Sequence, residues 1–154
     1  MLANLIENKV VEYLKDATIN DVETYKVVEV SKLMLDWNAF TDYPRIVVTC
    51  SDTNPTSIAI QQVVRNYAVH IFLLNFGPDL DDLLVERDII FERIVSKLMA
   101  NQRFDNLVDN NSNERVWDSK VGRGRFSKTG LNDSYHLTSW LQVLVSSERT
   151  GPFT

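Results

Sequence analysis

Three side chains in the sequence have the chemistry for nucleophilic attack or metal binding: Cys50, His70 and His136. A thiol and an imidazole can act as a nucleophile and its base, but the histidine then needs a third group to orient it. No residue stands at a suggestive spacing for that role, and the His-x-His and His-Glu-x-x-His spacings of metal sites are absent. Each histidine also lies inside a segment of strand character. The sequence therefore predicts no catalytic residue, no metal ligand and no cofactor.

Two other patterns resemble ligand-binding motifs and are better explained otherwise. Gly122 and Gly124 form a glycine pair, but they do not follow a strand-to-helix junction, and no Gly-Lys-Ser or Gly-Lys-Thr is present. The acidic residues between positions 79 and 88 are candidates for a cation site. A helix that begins there explains the same residues, because carboxylates favour the positive end of its dipole.

A basic segment, residues 115–128, stands out on an acidic protein. The segment carries five positive charges against Asp118 alone, which gives +4, so the remainder must carry −9 to reach the net charge of −5. The five cations are Arg115, Lys120, Arg123, Arg125 and Lys128. Such a segment could contact phosphate groups or an acidic protein partner. The alternative is an exposed hairpin loop whose charges are solvated.

Length and composition limit the class of protein. The chain of 154 residues fits a single domain, residues 1–154, in which residues 151–154 are expected to form a flexible tail. One cysteine allows neither an intramolecular disulfide nor a cysteine-based zinc site. The polar residues Asn4 and Glu7 argue against a signal peptide, and no apolar run approaches the roughly 20 residues of a membrane helix. We expect a soluble protein made in a cytoplasm, with no membrane contact.

The candidate residues must be positioned by a strand–helix unit at the centre of the chain. Residues 67–74 alternate with apolar side chains on both faces, which is typical of a central strand covered on both sides. Gly77 and Pro78 end the strand, and residues 79–101 show the spacing of an amphipathic helix.

The flanking segments add one helix and several strands. Residues 2–15 are predicted to form a helix, and residues 31–39 are ambiguous. Strands are predicted at residues 25–30, 45–50, 58–64, 115–120 and 135–145. A bend near Arg65 would join the third of these to the central strand. Residues 109–113 are predicted to be a surface loop, and residues 122–133 are predicted to be the most flexible stretch.

This order of elements indicates an α+β two-layer sandwich. Its sheet is mainly antiparallel or mixed, and both helices pack on one face. The apolar character of both sides of residues 67–74 and the bulk of Trp140 indicate that the second face is also covered. In a chain this short, the cover would be another subunit.

The succession of elements resembles the tail-terminator, or tail-completion, proteins of tailed bacteriophages. The segments that carry the resemblance are Ile-Glu-Asn-Lys-Val-Val-Glu-Tyr-Leu at 6–14, Tyr-Pro-Arg-Ile-Val-Val at 43–48, Tyr-Ala-Val-His-Ile-Phe-Leu-Leu at 67–74, Glu-Arg-Asp-Ile-Ile-Phe-Glu-Arg-Ile at 86–94 and Tyr-His-Leu-Thr-Ser-Trp-Leu-Gln-Val-Leu-Val at 135–145. The resemblance is one of layout and length over most of the chain.

The resemblance implies a non-enzymatic virion protein that is made in the host cytoplasm and ends up at the tail–neck junction. Such proteins form a ring, commonly a hexamer, that caps the tail tube, ends its polymerisation and meets the neck connector. DNA passes through the lumen. No family motif assigns individual residues, so contact candidates follow from physical character: residues 122–130, residues 109–113, the tail at 151–154, and the aromatic anchors Phe126 and Trp140.

Three alternatives remain open at this point. One is a phage neck or connector protein that does not set tail length. Another is a small α+β module that binds nucleic acid or a ligand through residues 115–128. The most remote is an enzyme that uses Cys50 and the two histidines.

Overall fold

A computed structural model describes residues 2–15, 27, 29–32, 43–52, 56–59, 62–122, 124–131 and 133–150. Within these ranges the chain forms two helices, α1 (Leu2–Leu14) and α2 (Leu80–Met99), and a short turn at Phe104–Asn106. The strands of the same ranges are β1 (Glu29–Ser31), β2 (Arg45–Asp52), β3 (Thr56–Ala59), β4 (Gln62–Gly77), β5 (Val108–Asp109), β6 (Glu114–Val121), β7 (Arg125–Leu131) and β8 (Ser134–Thr150).

The strands form one mixed sheet in the order β1-β2-β4-β8-β6-β5. Only the β1–β2 pair is parallel, and every other pair in the described part of the chain is antiparallel. β3 lies beside β4 in line with β2, and β7 lies beside β8 in line with β6. The predicted α+β class with a mainly antiparallel, mixed sheet is therefore confirmed.

Both helices pack on one face of the sheet, as predicted. Sheet residues on this helix-covered face include Ile46, Val48, Val69, Ile71, Leu73, Leu141, Val143 and Val145. Residues Ile6, Val10 and Leu14 of α1 and Ile90, Ile94 and Leu98 of α2 pack against them. Because side chains alternate along a strand, the residues between these positions point the other way. We call that side the open face; its members include His70, Phe72, Trp140, Gln142 and Leu144, while Val47 and Leu74 on the same side are buried in a second small cluster with Tyr43 and Phe72.

β4 and β8 form the long centre of the sheet. Their register runs from Gln62 opposite Thr150 to Gly77 opposite Tyr135, so both strands are longer than predicted. The apolar alternation ends near Val145, but the ladder continues because its hydrogen bonds come from the backbone. The polar continuation is also hydrogen-bonded, since Ser146 Oγ donates to Asn66 Oδ1 at 3.2 Å.

The acidic segment at residues 79–88 starts α2, as the preferred interpretation held. Asp79 caps the helix, and its side chain accepts a hydrogen bond from the amide of Asp81. Asp82 adds a second carboxylate to the first turn, and Lys97 lies in the last turn. Among the described residues, no group of three or more His, Cys, Asp or Glu side chains is arranged to hold a metal ion.

The prediction that residues 58–64 form one strand bending into the centre was wrong. Ala59 of β3 lies opposite Gln62 of β4, so the chain reverses between them and forms a hairpin. Residues 60 and 61 lie outside the described residues. An alternating pattern continues across a tight reversal, which is why the sequence concealed it.

The predicted loop at residues 122–130 was also wrong, because most of it is β7. Its glycines and polar side chains have low strand propensity, but the ladder with β8 satisfies its backbone groups. Residues 109–113 are a compact turn in which Asp109 is buried and accepts hydrogen bonds from the Asn111 amide and Ser112 Oγ. The Asn111 amide, followed by Ser112, holds the pKa of Asp109 below its ordinary value.

Some predictions fall on residues that lie outside the described part of the chain. These are the ambiguous stretch at 33–39, the tail at 151–154, residues 25, 26 and 28 of the strand predicted at 25–30, and Arg123. In the described ranges, neither helix combines the length and apolar character needed to cross a bilayer.

Candidate interaction surface

The basic segment forms most of the outer arm of a long hairpin. β6 and β7 run end to end along β8, and Gly122 and Gly124 lie at the break between them. The amide of Gly122 donates to the carbonyl oxygen of Gln142 at 2.7 Å, which keeps the two arms together. A Cβ at Gly124 would lie 3.1 Å from Leu141 Cδ2. The glycine pair thus permits close backbone contact and does not form a phosphate loop.

The described cations of this segment divide between the two faces of the sheet. Lys120 lies opposite Leu144 and Arg125 lies opposite Trp140, so both are on the open face, and both are exposed. Arg115 shares that face, where its guanidinium forms an ion pair with Glu148 at 2.6 Å. Since Arg115 is already paired, Lys120 and Arg125 are the better candidates for a contact with another molecule.

Phe126 and Lys128 lie on the other side of the same strand. The Arg87 guanidinium of α2 lies 4.8 Å from the centre of the Phe126 ring, which is cation–π geometry. Phe126 nevertheless remains 48% exposed. Lys128 is exposed opposite Leu137. The structure therefore does not gather all the predicted site residues into one patch.

An aromatic strip crosses the open face and contains Trp140. It consists of two groups, and the contacting rings within each group have centroids 4.6–6.4 Å apart. One group is Tyr43, Phe76 and His136, and the other is His70, Phe72 and Trp140. Trp140 is half-buried in this strip and does not belong to the core beneath the helices. Burial raises the pKa of Tyr43.

A cavity of about 300 Å³ lies between α2 and the start of β7. Phe91 and Leu141 provide apolar lining, and Arg87 and Asp88 provide charge. Among the described residues that line it there is no histidine or cysteine. The cavity offers room for a side chain of a partner, with the Arg87 guanidinium at hand.

The candidate nucleophile pair is not assembled. Cys50 lies opposite Val69 and packs against the core beneath the helices, whereas His70 is on the open face. His70 and His136 share that face but lie opposite Gln142 and Phe76, six positions apart, which corresponds to about 20 Å along the strand. These three residues cannot act together on one substrate.

Sequence reasoning missed a buried polar cluster on the helix-covered side. Glu114 accepts hydrogen bonds from Tyr67 at 2.7 Å and from Ser147 at 3.0 Å. Burial raises the pKa of Tyr67, because ionisation would place a second charge there. Only the register of three strands brings these residues together, so no local signal in the sequence could have revealed the cluster.

Comparisons with known proteins add one likeness of fold. No protein-family model matches the chain, and no curated protein matches it. Solved structures that match include a chain from the "Virion of native gene transfer agent (GTA) particle". That match has a TM-score of 0.47 and 10% sequence identity, and it covers 92% of this chain and 94% of the other.

Proposed function

We propose that this chain is a non-enzymatic virion structural protein that assembles into a ring of six copies on the end of a phage tail tube. The ring ends tube polymerisation and joins the tail to the neck connector at the tail–neck junction. Its partners are other copies of itself, the tail-tube protein and the connector protein. DNA passes through its lumen without sequence-specific contact.

The observation that carries the proposal is that the described helices cover only one of the two faces of the sheet. The two described helices cover one face, while the open face carries the aromatic strip, Lys120 and Arg125. Leu144 on this face is 46% exposed. Apolar and aromatic surface of this kind is typical of sites where proteins associate.

Two further considerations agree with an assembly role. The layout of helices and strands resembles tail-terminator proteins, and the candidate nucleophile and base lie on opposite faces of the sheet. The proposal rests on the surface and on the layout.

Electron microscopy of particles assembled after disruption of this gene tests the proposal. Tails of uncontrolled length are the expected result, because nothing would stop the tube from growing. Tails of normal length that are detached from full heads would support the alternative of a neck protein. Normal infectious particles would overturn both roles.

A nucleic-acid-binding module is the second candidate, because Arg125 lies beside Trp140 on an exposed strand. A cation next to an aromatic ring is the usual surface for a single strand of nucleic acid. Fluorescence anisotropy with a labelled single-stranded oligonucleotide would then show binding that weakens steeply from about 50 to about 200 mM salt. The Arg123→Ala and Arg125→Ala double variant should lose that binding. Arg115→Ala is the matched control, since Arg115 is paired with Glu148.

A further inference from the structure

The outer edge of β7 is unpaired in the described part of the chain. β7 is bonded to β8 on one side, and no described strand lies on the other. All residues from 125 to 130 are exposed. An unpaired edge of this kind presents backbone donors and acceptors that can add a strand from another chain.

β1 lies at the opposite edge of the sheet, in the same rows as β7. One row runs Ser31, Val47, Phe72, Trp140, Arg125 across five strands. The next row on the same face begins at Glu29 and ends at Ser127. Among the described strands, none pairs with the outer edge of β1. The two edges therefore stand at the same height on opposite sides of one subunit.

Charge argues against pairing of two identical edges. An antiparallel pair of β7 strands centred on Arg125 or on Lys128 would place that cation opposite its own copy, and like charges directly opposite each other across a strand pair are destabilising. β1 instead presents Glu29, whose side chain remains 53% exposed although it pairs with Arg45. A basic edge and an acid-bearing edge are complementary.

The directions of β1 and β7 also allow them to pair between neighbouring copies. β1 runs parallel to β2, and three antiparallel pairings separate β2 from β7, so β1 and β7 run in opposite directions. A neighbour in the same orientation would place its β7 antiparallel to β1. The contact joins two different surfaces, and a heterologous contact of this kind generates a ring when its rotation closes.

We infer that β7 of one copy adds to the outer edge of β1 in the next copy, so that the sheet continues from subunit to subunit. This inference rests on the proposed ring and names the surfaces that form it. Phe126 and Lys128 would then contact the neighbour on the helix-covered side, and Arg125 would do so on the open side.

Disulfide cross-linking of purified full-length chains tests this contact. Ser31→Cys and Arg125→Cys place thiols at the two ends of one row on the open face, so the two thiols lie opposite each other if the sheet continues into the next copy. About 19 Å separates β1 from β7 within one subunit, as four strand spacings require, so an internal disulfide cannot form. Mild oxidation of an equal mixture of the two single variants should give a covalent heterodimer. A chain with both substitutions should give a ladder of multimers.

Three controls define the result. The unsubstituted chain, which contains only Cys50, measures background cross-linking. Gln142→Cys, exposed on the open face in the middle of the sheet, should not cross-link to Ser31→Cys. Ser127→Cys, two residues from Arg125 on the same face of β7, should give about three- to fivefold less heterodimer with Ser31→Cys than Arg125→Cys does, because a diagonal neighbour lies farther away.

Two outcomes would overturn the inference. One is a mixture that shows no heterodimer above background, and the other is efficient self-cross-linking of Arg125→Cys alone, which indicates β7–β7 pairing. Rings seen by electron microscopy without the heterodimer would reject this interface and leave the proposed function standing. Cross-linked multimers, together with normal tails after disruption of the gene, would support this interface and reject the proposed function.

Discussion

The Tyr67 hydroxyl donates a 2.7 Å hydrogen bond to Glu114, and both residues are almost completely buried. Tyr67 belongs to β4 and Glu114 to β6, and β8 runs between these strands. Ser147 of β8 donates to the second carboxylate oxygen at 3.0 Å. The cluster therefore ties three strands together at the end of the sheet that is remote from β7.

Removal of the Tyr67 hydroxyl should leave a buried carboxylate short of one donor. We expect Tyr67→Phe to lower the free energy of unfolding by about 1–3 kcal/mol, measured by urea denaturation. Tyr135→Phe, at a half-buried site near the hairpin turn, is the control and should have little effect. A Tyr67→Phe/Glu114→Gln double variant should be less destabilised than the sum of its parts. Additive effects would mean that the two side chains do not stabilise each other.

The three glycines of the outer hairpin arm should differ in their tolerance of alanine. A Cβ at Gly122 would lie 3.1 Å from the Gln142 carbonyl oxygen, a backbone atom that cannot turn away. At Gly124 the nearest atom, also at 3.1 Å, is the end of the Leu141 side chain, which can move. We expect Gly122→Ala to be the most destabilising, by about 1–2 kcal/mol, and Gly124→Ala to cost less.

Gly130→Ala is the matched control for this series, because the nearest atom to its Cβ is 3.9 Å away on Tyr135. It should be neutral or slightly stabilising, since alanine restricts the unfolded chain. Thermal unfolding monitored by circular dichroism would rank the three variants. Equal melting temperatures for all three would show that backbone proximity at the break between β6 and β7 has no energetic role.

Glu86 should make stability depend on pH. Burial raises its pKa above the ordinary value of 4.5, and a hydrogen bond from the Asn75 side chain offsets part of that effect. A carboxyl group with a raised pKa in the folded state contributes stability below its unfolded pKa, and that contribution is lost as pH rises through the folded pKa. Glu86→Gln cannot ionise, so its stability should increase relative to the wild type between about pH 4 and about pH 7.

Urea denaturation at several pH values measures this difference for Glu86→Gln. Glu92→Gln is the control, because Glu92 is exposed on the same helix. Its stability difference from the wild type should stay constant over the same range. A Glu86→Gln difference that also stayed constant, or that fell as pH rose, would contradict the expectation.

Asp105 should show the opposite pH dependence. Tyr13 donates to Asp105 at 2.8 Å and Lys9 approaches it at 3.2 Å, and these contacts lower the pKa of Asp105 below its ordinary value of 3.8. The resulting stability is present above pH 3.8 and is lost as pH falls through the lower folded pKa. Asp105→Asn should lower the melting temperature near neutral pH, and the deficit should shrink in acid.

Asparagine suits this test because residue 105 has a φ of 54°, a left-handed conformation that asparagine tolerates. Tyr13→Phe removes the hydroxyl group that donates to Asp105, so the pH-dependent part of the stability should become smaller. Scanning calorimetry at several pH values would follow both variants. A deficit for Asp105→Asn that grows as the pH falls would exclude the proposed linkage.

Local patterns predicted the elements whose signals are local. The helical spacing of residues 79–101 and its acidic first turn predicted α2, because the dipole and one apolar stripe act within a single helix. The alternation of residues 67–74 predicted the centre of β4. Local patterns did not predict β7 as a strand, because its backbone is hydrogen-bonded by β8 while its own residues have low strand propensity.

The sequence by itself determined the α+β class, the two helices, the central strands and the basic character of residues 115–128. Tertiary structure decided that this segment forms an edge strand, that Cys50 and His70 point to opposite faces, and that Tyr67 meets Glu114. The physical reason is strand register. A shift of one residue moves every side chain to the other face, and register depends on partners far away in the chain.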